Sequence, residues 1–127
     1  MECDPTRLTS HHFIAVLPVA QSVYQWREAD FVNLLRTAVQ QAQLTIVGEA
    51  AFSFTPTGVS AVALLAESHI ALHFWPEHGK VTIDIHICDY SDRNRQKAET
   101  LAQQMTEKLS RSPDPNLQQW QQFSTQG

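Results

Sequence analysis

Basic clusters, long apolar runs, cysteines and internal repeats are scarce or missing in this chain of 127 residues, and each shortage removes a class of protein. Nine Lys and Arg stand against thirteen Asp and Glu, with no basic cluster, so the electrostatic footprint of a nucleic-acid binder is lacking. No apolar run approaches the length of a transmembrane helix, which argues against a membrane partner. The opening "MECDPTRLTSHH" has no basic segment followed by an apolar core and does not read as a secretory signal. Two cysteines, Cys3 and Cys88, make a poor disulfide framework, so a reducing, cytoplasmic setting is expected. No repeat points to a solenoid. What remains is a chain 43% apolar, enough for one core in a single globular domain.

The organisation follows from periodicity. "HFIAVLPV", His12 to Val19, reads as a first strand. "READFVNLLRTAVQQAQ" places Phe31, Leu34, Leu35, Ala38, Val39 and Ala42 at spacings of three and four, an apolar stripe along one helix face. "LTIVGEAAFSF" reads as a strand interrupted near Gly48, and "TPTG", Thr55 to Gly58, as a turn. "VSAVALLA" and "HIALHFW" are extended apolar segments on either side of Glu67-Ser68. "KVTIDIHIC" alternates: Val81, Ile83, Ile85 and Ile87 point one way, Thr82, Asp84, His86 and Cys88 the other. A second helix runs from about Asp92 to Ser110 on the stripe Ala98, Leu101, Ala102, Met105 and Leu109. This order predicts an α+β, two-layer sandwich: a mainly antiparallel sheet with two helices on one face. Residues 1–11 are expected to be flexible, 12–110 to form the domain, and 111–127 to be a polar, partly disordered tail, with an edge strand over Leu117 to Phe123.

The stretch "LLAESHIALHFWPEH", Leu64 to His78, sets polar groups inside an apolar run. A metal site built from His69, His73 and His78, with Glu77 nearby, lacks the helical spacing of two histidines with Glu after the first, because Ile70 stands there. A Ser-His-Asp hydrolase lacks flanking glycines around Ser68 and the βαβ pattern a nucleophile elbow needs. Neither a metal nor such a triad is expected. A third chemistry uses the backbone. A serine hydroxyl can attack the carbonyl of the preceding residue when that peptide is strained and the oxyanion stabilised. The amide becomes an ester, elimination cuts the chain, and the dehydroalanine left behind hydrolyses to a pyruvoyl group and ammonia. Ser68 would be the nucleophile and His73 the base, with Ser60 as a donor if the strand bends at Ser68. Taken alone, Phe54 reads as core, Glu77 as a solvated turn residue and Cys88 as an inert half-buried thiol. His11-His12 receives only a structural reading.

"GVSAVALLAESHIALHFWPEHGKVTIDIHIC", Gly58 to Cys88, closely resembles the core of the small prokaryotic S-adenosylmethionine decarboxylase proenzymes, which self-cleave at a Glu-Ser bond inside an AESH…H-x-WPE signature. The similarity runs from about His12 to Met105. It implies cleavage between Glu67 and Ser68, with Ser68 becoming a pyruvoyl group that forms a Schiff base with the substrate amine. Ser60 and His73 would assist processing, and Cys88 would be the proton donor in decarboxylation. Phe54 would stack on adenine and Glu77 would hold the ribose hydroxyls. The family properties implied are an α+β sandwich, a homodimer of processed protomers with sites near the interface, and a product feeding spermidine synthesis. The chain departs from the family at Val16 and Pro18, where an acidic residue and an aromatic-containing end are usual. It departs again at Phe52-Ser53, at Phe74 in place of Thr, and at Asp89 in place of Gly. These changes leave open a related pyruvoyl decarboxylase acting on arginine or ornithine, with Asp89 pairing the basic group. An uncleaved regulatory paralogue is the third reading.

Overall fold

A computed structural model describes residues 8–89 and 93–126. Six strands form one sheet: β1 Thr9–Pro18, β2 Ile46–Ser53, β3 Val59–Leu65, β4 Ser68–Trp75, β5 Lys80–Asp89 and β6 Trp120–Gln126. Their order across the sheet is β2-β3-β4-β5-β1-β6, and every pairing is antiparallel. Helix α1, Glu28–Gln41, packs on β2 and β3, while α2, Asn94–Leu109, packs on β1 and β5. Two short 3-10 turns, Gln21–Gln25 and Pro76–His78, complete the elements.

The expected α+β two-layer architecture is therefore present, for the reason the periodicity gave. Val81, Ile83, Ile85 and Ile87 are all buried beneath the helices, as are Phe31, Leu34, Leu35, Ala38, Val39 and Ala42 from α1 and its C-cap. Ala98, Leu101, Ala102, Met105 and Leu109 close the core from α2. At the start of α1 the Asp30 carboxylate accepts a hydrogen bond from the Arg27 N–H at 2.7 Å, occupying a donor the helix itself leaves open.

Element boundaries differ in three places. β1 begins at Thr9, three residues before the expected start, because Thr9, Ser10 and His11 pair with Asp89, Cys88 and Ile87 of β5. Residues 9–11 are thus part of the sheet rather than of a flexible N-terminus. The tail supplies β6, shifted toward the C-terminus from the expected Leu117–Phe123 and zipped along β1 from Trp120 to Gln126. The Trp120 indole N–H donates to the buried Thr106 Oγ1 at 2.8 Å, which anchors that strand to α2. Helix α2 is described from Asn94, so the expected start at Asp92, like Cys3, lies outside the described residues.

The sheet has two unlike faces. The helical layer covers one. The other carries Val16 (60% exposed), Phe52 (60%), Leu64 (55%), Phe123 (49%) and Trp75 (45%), apolar side chains from five strands that share the open side by register.

Candidate active site

β3 and β4 form a hairpin whose tip is Ala66-Glu67, with Leu65 opposite Ser68 and Ser60 opposite His73. This register decides which candidate residues meet. Ser60 Oγ and His73 Nδ1 are 2.6 Å apart, a directly opposed pair on the open face. Ser68 sits five residues away along β4, about 16 Å at the rise of an extended strand. The strand does not bend to bring Ser60 to Ser68 within one chain. The β3–β4 register is unbroken from Val59 opposite Phe74 to Leu65 opposite Ser68, so the condition under which Ser60 would reach Ser68 is not met within one chain.

At the hairpin tip, Glu67 and Ser68 are half-exposed although the run around them is apolar. Ser68 has φ 144°, a region L-residues rarely occupy and one that costs on the order of 1–3 kcal/mol where the surroundings hold it. The holding contacts converge on Glu67. Its carbonyl oxygen accepts the Cys88 backbone N–H at 2.8 Å, and its Oε1 accepts the Thr45 N–H at 3.1 Å. Cys88 is a free thiol on the open face of β5, and its Sγ lies 3.7 Å from Ser10 Oγ. The Asn94 side-chain amide donates to the Cys88 carbonyl at 2.7 Å, fixing that residue from the α2 side.

The other candidates gather at the opposite end of the hairpin. Phe54, Ser60, His73 and Glu77 line one cleft of about 320 Å³, together with the Thr55–Gly58 turn and Trp75. Phe54 is half-exposed and packs edge-on against Phe52 at 4.9 Å, so it is not the core residue its hydrophobicity alone suggested. The turn places its ring: Phe54 N–H donates to the Gly58 carbonyl at 2.8 Å, and Gly58 takes φ 111° with the Phe74 carbonyl 3.3 Å from where a Cβ would stand. Glu77 belongs to the Pro76–His78 turn, which ends on Gly79 in the left-handed region. The cleft thus offers an exposed ring, a carboxylate and a hydroxyl–imidazole pair, suited to a flat heterocycle carrying hydroxyl groups.

Several polar contacts around Cys88 and Asp89 escaped the sequence reading. His11 is buried, with Nδ1 2.7 Å from Ser124 Oγ and Nε2 2.9 Å from the Asp89 carboxylate. That pairing turns Asp89 toward the helical side, away from the cleft. His12 and His86 stack across β1 and β5 at 4.4 Å. Ser10 and Asn94 are both buried polar residues in contact with Cys88. What brings them together is the pairing of β1 with β5 and the packing of α2 on β5, which a single sequence does not print. Of the three histidines considered as metal ligands, His69 packs against His86 and His73 bonds Ser60, so these two serve separate contacts.

Comparison with known proteins agrees with this geometry. Residues 11–112 match the family model for S-adenosylmethionine decarboxylase. An S-adenosylmethionine decarboxylase proenzyme from Aquifex aeolicus is 47% identical over 62 residues, 49% of this chain and 46% of that protein. One from Archaeoglobus fulgidus is 36% identical over 81 residues, 64% of this chain and 72% of its own. The chain spans about half the length of most of the curated relatives it matches. The crystal structure of the adenosylmethionine decarboxylase from Aquifex aeolicus superposes with a TM-score of 0.65 at 26% identity, covering 98% of this chain and 91% of that one. A strained Glu-Ser hairpin tip beside a cysteine, on a fold shared from end to end, and a family match over most of its length agree: the chain belongs to the S-adenosylmethionine decarboxylase family.

Proposed function

We propose that this chain is a proenzyme that cleaves itself between Glu67 and Ser68 and then decarboxylates S-adenosylmethionine, each site being completed by a second copy. S-adenosylmethionine decarboxylases are pyruvoyl enzymes whose cofactor is made from a serine of the chain. The observation that carries the proposal is the Cys88 N–H aimed at the Glu67 carbonyl beside a strained Ser68.

Position 68 suits a pyruvoyl group on this chain's own geometry. The bond to be cut lies in a hairpin tip, so β3 and β4 keep their ladders on both sides of the break. The Ser68 hydroxyl attacks the Glu67 carbonyl, forming a C–O bond as the C–N bond breaks. Negative charge gathers on the carbonyl oxygen, where the Cys88 N–H already donates, so little reorganisation is needed as charge develops. A base then takes the Ser68 Cα proton, and the Glu67 carboxylate departs with Oγ and the electron pair of the Ser68 Cβ–Oγ bond, leaving dehydroalanine. Water finishes the conversion, ammonia leaves, and residues 68–127 begin with the new carbonyl pair. That group, once formed, takes up the electrons released when CO₂ departs.

His73 is the base for processing and Ser60 its partner, about 16 Å from Ser68 in the same chain. The Ser60–His73 end of the hairpin lies on the bare apolar sheet face, as does Cys88 beside the tip. A two-fold arrangement of two such faces lays the Phe54–Ser60–His73–Glu77 cleft of one copy over Ser68 and Cys88 of the other. A homodimer with shared sites therefore accounts for the split cleft and the exposed apolar side chains together. In turnover, Phe54 stacks on the adenine, the Glu77 carboxylate accepts from the ribose hydroxyls, and the Cys88 thiol returns a proton to the carbon that lost CO₂. A reducing, cytoplasmic setting keeps that thiol available.

A basic amino-acid substrate loses its structural ground, since the Asp89 carboxylate meant to receive it is held by His11 at 2.9 Å on the helical side. The test is CO₂ release from labelled adenosylmethionine, arginine and ornithine by wild type and Ser68→Ala. Release from adenosylmethionine alone, abolished in the variant, is expected. Release by Ser68→Ala would sink the mechanism.

A further inference from the structure

The open face carries a second ordered feature beside the cleavage site. Four rings run across four neighbouring strands in register: His69 on β4, His86 on β5, His12 on β1 and Phe123 on β6. His69 meets His86 edge-on at 5.3 Å and 90°, His86 stacks on His12 at 4.4 Å and 19°, and His12 stacks on Phe123 at 4.7 Å and 7°. At the far end His12 Nε2 lies 3.4 Å from Thr125 Oγ1. The ladder thus starts one residue after Ser68 and is anchored at the opposite edge of the sheet.

We propose that this ring ladder, with His86 as its middle rung, is a positioning device that holds residue 68 in place once the chain has been cut. The inference rests on the self-cleavage proposed above. Before cleavage the hairpin tip ties Ser68 covalently from both sides. Afterward residue 68 heads a strand, and chain ends fray unless something ties them down. A slip of one residue would also turn every side chain of β4 to the wrong face. The backbone ladders to β3 and β5 still flank β4, but they hold its main chain and leave the side chains at its new head free to turn. The His69 ring, braced laterally through three further rings, fixes the first side chain after the cut and so the direction of the carbonyls at position 68. Cross-strand ring pairs of this kind are the contacts that hold register in a sheet.

The ladder works with its middle ring neutral. Burial, followed by the charges of His12 and His69, holds the His86 imidazole below the usual 6.5. Its Nε2 is buried without a hydrogen-bond partner among the described residues, so stacking is its principal contact. The titratable groups facing it are His12 from β1, His69 from β4, and Asp84 and Cys88 along its own strand; β6 presents Phe123 and Thr125 beyond His12. Because the folded form binds its proton less readily than the unfolded one, the contribution is complete above the ordinary histidine range and is lost as pH falls below it.

The test compares wild type, His86→Ala and His86→Phe as purified, processed proteins. All three are expected to show complete cleavage by intact mass, since His86 takes no part in processing. In His86→Ala, amide exchange over residues 69–75 is expected to speed up and kcat to fall about tenfold, the size of one lost ring pair, with KM little changed. His86→Phe, which keeps a ring but carries no proton, is expected to restore both and to weaken the loss of kcat that wild type shows below the histidine range. Unchanged exchange in His86→Ala would overturn the proposal, as would faster exchange with kcat within twofold of wild type. A Phe variant as impaired as the Ala variant would overturn it too. An uncut wild-type chain would overturn the self-cleavage reading and the ladder's role together, and is told apart by mass alone.

Discussion

Ser68 and Cys88 divide their labour between backbone and side chain, and the division can be measured residue by residue. The donor to the Glu67 carbonyl is the Cys88 backbone N–H, which any residue but proline supplies at that position. Cys88→Ala is therefore expected to cleave to completion, seen by mass, yet to decarboxylate about a hundredfold more slowly, the usual scale of a lost general acid. An uncut Cys88→Ala protein would move the side chain into processing. Legibility at this scale was uneven. Ser68, His73, Glu77 and Cys88 are marked by the stretch Gly58 to Cys88, Phe54 only by the wider resemblance, and the structure gathers them into two clusters. Ser10, His11 and Asn94 are ordinary polar residues whose contacts with Cys88 and Asp89 arise from strand pairing and from the packing of α2, so nothing in their local sequence announces them.

At the scale of the element, the apolar stripes spoke most plainly because burial on one side of a helix or strand leaves a period. The alternation of β5 and the i, i+3, i+4 stripe of α2 translate directly into buried side chains. Met105 is fully buried on α2, and Met105→Ala is expected to destabilise by about 2–5 kcal/mol, read as a lower denaturant midpoint at unchanged slope. The ends were harder. β1 begins in the polar Thr9-Ser10-His11 and β6 runs through a Gln-rich tail, and both are strands by pairing with a neighbour rather than by composition. The same limit hid the split of the site. Parity along β3 and β4 tells which face Ser60 and His73 share, but their separation from Ser68 depends on the hairpin tip falling at Ala66-Glu67.

Across the described residues, one apolar sheet face lies open, and both the Ser60–His73 pair and Cys88 stand on it. Shared sites give a test that a self-contained monomer would fail. Ser68→Ala keeps the Phe54–Ser60–His73–Glu77 half, and His73→Ala keeps the Ser68–Cys88 half. Each is expected to be inactive alone. Co-expressed, random pairing in a two-fold dimer leaves one good site in half of the dimers, so about a quarter of wild-type activity should return. Failure to recover any activity would place both halves within one chain and contradict the shared site. In sedimentation the wild type is expected to be a dimer at neutral pH, and a monomer there would leave the bare face unexplained.

The most direct measurement is the intact mass of the purified protein under denaturing conditions. Two fragments are expected, residues 1–67 and residues 68–127 headed by a pyruvoyl group in place of Ser68. A single full-length chain with Ser68 unaltered would contradict self-cleavage at the strained hairpin tip, and with it the decarboxylase built on that tip.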